Sequence, residues 1–232
     1  MSKSITKVLL VITFMVAAVQ RAGAQDFARL YVGLVEPQYP TWLWHDIPYY
    51  QGNTETYKGR VSYYGVVYDD VQLRFDQLEQ RVVVLSPVGN VFCVPDQEHI
   101  DWFEMDGHRY VHDPEDCSRY AALLHDGKAN GVSLYHCVWK SPDAERTFGK
   151  DVYLKTLSTH EQYTLVTPDG ETHHVKRASD IIKLFPEQKK QMKQFVRQHH
   201  LSFSRKERET SLAKVVGQLT MDDVRWMMGH WK

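Results

Sequence analysis

Tight-turn signals divide the middle of this chain into segments that lie too close together for crossover helices. Asp106–Gly107 and Asp126–Gly127 each stand between two strand-like runs, and Pro168–Gly170 stands between another pair. Asp-Gly between such runs is typical of a two-residue β-hairpin, whose turn requires positive φ at both positions. Parallel neighbours instead need connections of about a dozen residues or more. The sequence therefore predicts antiparallel strands across residues 61–176 and excludes a parallel α/β core.

Alternation inside the segments supports the same fold. In the run DVQLRFD, Val71, Leu73 and Phe75 share one face, while Gln72 and Arg74 share the other. A period of two is the pattern of a strand with one face against a core.

The period changes near residue 177. Met192, Phe195 and Val196 recur at helical spacing, and a second apolar stripe follows in residues 212–219. We therefore expect an α+β fold, in which helices within residues 177–232 pack on a meandering antiparallel β-sheet that is either open or barrel-like.

The first 24 residues have the pattern of a signal peptide. Two lysines precede an apolar run at residues 8–19, and Ala22 and Ala24 supply the small residues that signal peptidase accepts before Gln25. The run is shorter than the roughly 20 residues of a membrane span. We therefore expect residues 1–24 to be removed, leaving a secreted chain in the periplasm or at the cell surface with no transmembrane segment.

The mature chain divides into three parts that differ in composition and charge. Residues 25–60 are rich in aromatic residues and proline, residues 61–176 form the β domain, and residues 177–232 carry the helices. Residues 25–170 contain 12 Lys and Arg against 22 Asp and Glu, a formal charge of −10, whereas residues 171–232 contain 13 against seven, a formal charge of +6. Opposite signs favour two parts that attract each other, or a basic tail with an acidic partner.

Three cysteines remain after cleavage, and exported proteins commonly oxidise theirs. Cys93, Cys117 and Cys137 allow one disulfide and one free thiol, in three pairings that sequence does not choose between. Cys93 and Cys137 both lie on expected strands, so we expect them to pair if those strands are neighbours. The spacing of the three residues matches no zinc motif.

Five segments suggest a relationship to other proteins. In chain order they are VVYDDVQLRFD, FEMDGHRYVH, LLHDGKANGVSLYH, LVTPDGETHHV and SDIIKLFPEQKKQMKQFVRQHHLSF. Their order resembles that of a group of small exported proteins of Bacteroidota, over most of the mature chain. The resemblance implies an architecture of antiparallel hairpins followed by a C-terminal helix pair, and it implies no activity. The chain departs from the pattern in its aromatic residues at positions 42–50 and in its three cysteines.

No local motif for catalysis or metal binding is present in the sequence. His136 and Cys137 are adjacent, but neighbouring residues of a strand point to opposite faces and do not pair. His108 and His112 would lie about 13 Å apart on a strand, too far for one ion. The sequence therefore predicts no metal site and no cofactor, and it leaves any catalytic residue unknown.

An aromatic cluster in the N-terminal part is the candidate ligand-binding site. Trp42, Trp44, Tyr49 and Tyr50 lie close together between prolines. Exposed rings of this kind stack on sugars or bind a partner protein. The simpler interpretation is that the rings close one end of the core.

A basic set on the predicted helix is the candidate partner-binding surface. Lys189, Lys193 and Arg197 flank the apolar stripe. Long basic side chains in that position lay their stems along apolar neighbours and keep their charge in water, so a packed helix with solvated cations is the simplest interpretation. The alternative is an acidic partner surface. Nucleic acid is not an expected partner of an exported protein.

These observations favour a non-enzymatic exported protein of the cell envelope that acts as a protein-interaction or scaffold module. Two other classes stay open. One is a glycan-binding module that uses the aromatic cluster, and the other is a hydrolase without a recognisable local motif.

Overall fold

An eleven-stranded antiparallel sheet forms most of the structure, a computed structural model that describes residues 29–39, 46–143, 146–148, 152–154 and 156–219. The strands are β1 (Leu34–Val35), β2 (Tyr57–Tyr63), β3 (Val66–Asp76), β4 (Arg81–Leu85), β5 (Phe92–Val94), β6 (Ile100–Met105), β7 (His108–His112), β8 (Tyr120–Asp126), β9 (Ser133–Pro142), β10 (Arg146–Phe148), β11 (Val152–Leu154), β12 (Leu157–Val166) and β13 (Thr172–His174).

The strand order is β1-β5-β4-β3-β2-β6-β7-β8-β9-β12-β13, and β10 and β11 form a separate hairpin. Each strand pairing in the described part of the chain is antiparallel. This confirms the antiparallel sheet that the turn signals predict. The sheet is not closed, so of the two expected forms the open one is found.

The order departs from a simple meander at two places: β1 pairs with β5 instead of β2, and β6 pairs with β2 instead of β5. The segment before β6 passes beside β4. There the side-chain amide of Gln97 forms the backbone hydrogen bonds that a neighbouring strand would form. Its oxygen accepts a hydrogen bond from the Val82 N–H at 2.7 Å, and its nitrogen donates to the Val82 carbonyl at 3.2 Å. One side chain thereby satisfies both backbone groups of a buried strand residue.

Two of the three predicted hairpins have the expected short turns. Asp106 and Gly107 join β6 to β7 with φ of 51° and 76°, the values that a two-residue turn of this kind requires. Pro168–Gly170 lies in the short link between β12 and β13. The third turn is longer than predicted, because Asp126 ends β8 and β9 begins only at Ser133.

The β3–β4 turn shows how strongly the sheet curls. The Gln77 carbonyl accepts a hydrogen bond from the Lys140 N–H of β9 at 2.8 Å. The Gln80 side chain donates to the Val138 carbonyl at 3.1 Å and accepts from the Tyr120 N–H at 3.1 Å. The curl therefore brings β3 and β4 against β8 and β9, although several strands separate them in the sheet order.

The strands inside the curl bury a cluster of aromatic side chains. Phe103 stacks on Tyr110 with ring centroids 4.7 Å apart, and Phe75 and Tyr120 pack against Phe103. The N-terminal part adds Leu30, which is fully buried in the same cluster. β2 begins at Tyr57, and Leu30 therefore packs in the same core as the strands that follow it.

Three short helices follow the sheet and cover part of it: α1 (Ala178–Leu184), α2 (Lys189–Gln198) and α3 (Arg208–Val216). They form a second apolar cluster with β9 and β12, which includes Leu134, Leu165, Ile181, Phe185 and Leu212. Among the residues that the structure describes, no helix has both the length and the apolar character needed to cross a membrane.

The expected pairing of Cys93 with Cys137 is wrong. The condition for it fails, because Cys93 lies on β5 and Cys137 on β9, with six strands between them in the sheet. All three thiols are free, with Cys93 and Cys137 buried and Cys117 exposed. Burial raises the pKa of the Cys137 thiol well above its usual value.

A pair of phenylalanine substitutions tests the packing of the helices. Phe185 is 1% exposed, so Phe185→Ala should lower the free energy of unfolding by about 3–5 kcal/mol through the cavity it leaves. Phe195 is only half-buried and lies on His199, so Phe195→Ala should cost about 1 kcal/mol. Denaturant unfolding of the two variants measures the difference, and equal costs would show that the helices pack otherwise.

Thiol reactivity tests the cysteine assignment. In the folded protein, Ellman's reagent should react rapidly with Cys117 and slowly with the two buried thiols, while all three should react in denaturant. Cys117→Ser should remove the rapid phase. A denatured, unreduced protein that shows only one thiol would contradict the structure, because two cysteines would then be joined.

Candidate functional site

A cavity of about 490 Å³ lies on the inner face of the curled sheet, under the start of α3. Its volume falls in the range of small-molecule sites. Exposed Gln51, Thr159 and Arg205 mark its opening to solvent. The lining residues are Tyr50, Gln51, Gly52, Phe75, Gln77, His108, Tyr110, Tyr120, Ala122, His136, Val138, Lys140, Thr159, Glu161, Tyr163, Arg205 and Glu209.

Strand alternation explains which side chains reach the cavity. On β9, His136 and Lys140 are four residues apart and therefore share a face. On β12, Glu161 and Tyr163 are two residues apart and share the facing surface, and the register places Tyr163 directly beside His136. The His136 and Tyr163 rings stack with centroids 4.1 Å apart and planes 3° from parallel.

A carboxylate from α3 orients the His136 ring. The Nδ1–H of His136 donates to Oε1 of Glu209 at 2.5 Å. This hydrogen bond lowers the pKa of Glu209 more than burial raises it, so the carboxylate is ionised at neutral pH and can only accept. The proton between the two groups therefore belongs to Nδ1.

The second nitrogen of His136 is buried and unpaired. Nε2 has no hydrogen-bond partner, and the nearest carboxylate, that of Glu161, lies 3.9 Å away. The side chain is 9% exposed, so bulk water has little access to Nε2 and does not readily supply the missing hydrogen bond. An unsatisfied buried polar atom costs about 1–3 kcal/mol. This nitrogen is the one polar group of the described cavity lining that is buried and unpaired.

Glu161 is already neutralised by a cation. Arg208 donates from Nη1 to Oε1 of Glu161 at 2.6 Å, and its guanidinium lies 5.7 Å from the centre of the Tyr163 ring. Both carboxylates of the cavity are thus engaged by protein donors, Glu209 by His136 and Glu161 by Arg208.

Tyrosines supply most of the remaining surface. Burial raises the pKa of Tyr110 and of Tyr163, so both phenols stay neutral and can donate as well as accept. Tyr50 lies at the mouth, packs edge-on against Tyr110 and donates its hydroxyl hydrogen to Asp106 at 3.0 Å.

Lys140 fixes the segment that forms the mouth. Its Nζ donates to the carbonyls of Ile47 and Tyr49 at 2.6 and 3.0 Å. Burial lowers the pKa of Lys140, and nearby carboxylates oppose that shift. The ammonium is therefore a clamp on residues 47–49 and not a free cation for a ligand.

The structure separates the residues of the predicted aromatic cluster. Tyr50 lines the cavity, whereas Tyr49 is 6% exposed, donates its hydroxyl hydrogen to Glu36 and lies against the Arg74 guanidinium. As placed, the Tyr49 ring has protein on its faces and offers no stacking surface. Trp42 and Trp44 lie outside the described residues.

The predicted partner-binding residues lie elsewhere. Lys189, Lys193 and Arg197 are exposed on α2 and line a separate groove between α1 and α2. Among the described residues, no group of three or more His, Cys, Asp or Glu side chains could hold a metal ion.

Sequence reasoning missed the central residues of the cavity, namely His136, Glu161 and Glu209. A signal was present, since His136 and Lys140 of β9 and Thr159 and Glu161 of β12 stand at inward-facing positions, where a core strand would have apolar residues. Glu209 carried no such signal, because only the packing of α3 on the sheet brings it to His136.

Removing the orienting carboxylate should change the pH dependence of stability. The lowered pKa of Glu209 means that it stabilises the folded state above its unfolded pKa of about 4.5 and loses that effect as pH falls through the folded value. Glu209→Gln should therefore be less stable than wild type at neutral pH, and the difference should shrink below about pH 4.5.

Thermal melts between neutral and acidic pH measure this change. Glu187→Gln is the matched control, since it removes an exposed carboxylate from the surface and should leave the pH profile unchanged. A Glu209→Gln profile parallel to that of wild type would show that the His136 contact does not stabilise the fold.

Comparison with known proteins identifies no relative of this chain. No family model matches the chain, and no curated protein and no solved structure proved similar to it. The cavity itself is therefore the basis for the proposed function.

Proposed function

We propose that the protein is an exported binding module that holds a small neutral, hydroxyl-rich ligand, such as a sugar, in the cavity under α3. The unpaired Nε2 of His136 is the observation that carries the proposal. With Nδ1 donating to Glu209, Nε2 is the ring nitrogen left to bind a ligand, as an acceptor when it carries no proton and as a donor when it does. A ligand hydroxyl, which can both donate and accept, would satisfy a buried group that the protein leaves unpaired.

The charge of the cavity favours a neutral ligand. Glu209 is bound by His136, Glu161 by Arg208, and Lys140 by backbone carbonyls. A charged ligand inside the cavity would have to displace one of these contacts, whereas a neutral one would not; the Arg205 side chain, which also lines the cavity, is exposed at its opening. Burying a charged ligand without a partner is costly, so the existing contacts disfavour binding of a charged ligand.

The remaining side chains of the cavity suit both the hydroxyl groups and the C–H surfaces of a sugar. Phenols such as Tyr110 and Tyr163 donate and accept, as sugar hydroxyls do. Aromatic rings such as Tyr50 offer apolar surface beside these polar groups. Such a mixture of a few placed polar groups and aromatic walls is the usual composition of a small-molecule site. The glycan-binding hypothesis is thereby kept, with a different set of residues from the tryptophans that suggested it.

The signal-peptide pattern at residues 1–24 supports a role outside the cytoplasm. A ligand met there would be a free sugar or the end of a glycan, and either would enter past Gln51 and Thr159.

A catalytic role for His136 is the second candidate, because a carboxylate behind Nδ1 also orients histidines that act as general bases. Hydrolysis of a glycosidic bond, however, needs a carboxylic acid whose pKa is raised. The pKa of Glu209 is lowered, and Glu161 accepts a hydrogen bond from Arg208. Binding is therefore better supported than hydrolysis of a glycosidic bond.

Substitution of His136 tests the proposal. A panel of mono- and disaccharides is screened on the wild-type protein by saturation-transfer NMR, and affinities are measured by calorimetry. His136→Ala should weaken binding at least about tenfold, because the ligand loses its hydrogen-bond partner Nε2. Thr159→Arg should weaken it as well by filling the mouth, and since Thr159 is exposed the fold should not change.

His99→Ala is the control, as it removes a histidine outside the cavity and should bind as wild type does. Folding of each variant is checked by its thermal melt. Absence of binding by any sugar of the panel, or binding that both cavity variants retain, would contradict the proposal. Cleaved products in the same mixtures would indicate the catalytic alternative.

A further inference from the structure

The groove between α1 and α2 combines an apolar floor with a basic rim. Its volume is about 490 Å³. Ile182 and Val196 on its floor are only half-buried, so apolar surface remains open to solvent. An apolar depression rimmed by polar groups marks an interaction site more often than a bare surface does.

The rim is cationic along its whole length. Lys189, Lys193 and Arg197 follow one another at intervals of four residues on α2, and Lys183 lies on the opposite wall from α1. All four are exposed, and no carboxylate belongs to the described residues that line the groove. Within the part of the chain that the structure describes, the only ion pair of these four cations is Lys183 with Asp180, at 3.7 Å on the surface of α1.

We propose that this groove binds an acidic amphipathic helix of a partner protein. Apolar side chains of that helix would contact Ile182, Pro186 and Val196, and its carboxylates would pair with the cations of α2. Binding of an amphipathic helix in an apolar groove is a common mode of recognition.

The spacing of the cations selects this occupant. Residues four apart on a helix rise about 6 Å along its axis, so the row from Lys189 to Arg197 is about 12 Å long. Carboxylates at i and i+4 of a second helix have the same spacing and can pair with successive cations along the row. A lipid headgroup concentrates its negative charge at one point and would pair with only part of it.

The proposal is independent of the ligand cavity. No residue lines both sites, and the groove belongs to the helices while the cavity belongs to the sheet and α3. Loss of one activity would therefore leave the other in place.

A phage-displayed random peptide library selected on the wild-type protein provides the test. The expected winners carry Asp or Glu at helical spacing beside Leu, Ile or Phe. Synthetic versions should bind at least about tenfold more weakly to the Lys189→Gln/Lys193→Gln/Arg197→Gln variant and to wild type at high salt. Val196→Ser should weaken them too, because it removes part of the floor.

The matched control is Lys190→Gln/Lys206→Gln/Lys214→Gln, which removes the same charge from exposed residues outside the groove. It should bind the peptides as wild type does. The proposal is overturned if no peptide is selected, if the winners lack acidic residues, or if the groove variant binds them unchanged.

Two further measurements identify a different occupant. Vesicles of phosphatidylglycerol that bind wild type but not the groove variant would indicate a lipid. Self-association in light scattering that the groove variant loses would indicate a second copy of this chain. Either result would overturn the assignment to a partner helix.

Discussion

The curl of the sheet depends on a buried carboxylate at the end of β3, Asp76, which holds the turn to β4. Asp76 is fully buried, accepts hydrogen bonds from the N–H groups of Leu78 and Glu79, and pairs with Arg81 at 3.2 Å. A buried charge persists only where its partners are fixed, so this contact holds the turn in one shape. The turn then presents Gln77 and Gln80 to β8 and β9, and those bonds determine the concave face.

Both the aromatic cluster and the cavity under α3 follow from that concave face. Phe75 and Tyr120 belong to the cluster inside the curl and also form one side of the cavity. Tyr163 belongs to the cluster under the helices and forms the other side. The cavity therefore lies where the two apolar clusters meet. Its charged side chains on β9, β12 and α3 are hydrogen-bonded to protein groups. His136 is the exception, because its second nitrogen faces the space between the clusters without a partner.

The connection between β8 and β9 shows how tertiary contacts override a local turn signal. Asp-Gly at residues 126–127 predicts a two-residue hairpin, yet the link continues to Val132. Asn130 explains the extra length. Its buried side chain donates to the carbonyls of Val216 and Leu219 at the end of α3 and accepts from the Val132 N–H. The loop thus satisfies backbone groups of a helix end, which would otherwise be buried and unpaired.

The sequence by itself determined the antiparallel strands, two of the short turns and the C-terminal helices, because each depends on the periodicity or turn chemistry of neighbouring residues. It also separated His136 from Cys137, since alternation places adjacent residues on opposite faces. Only the tertiary structure decided the strand order, the distance between Cys93 and Cys137, and the meeting of His136 with Glu209. Those features depend on how far the sheet curls and where α3 packs on it, and both are set by contacts between residues distant in the chain, which leave no periodic trace in the sequence.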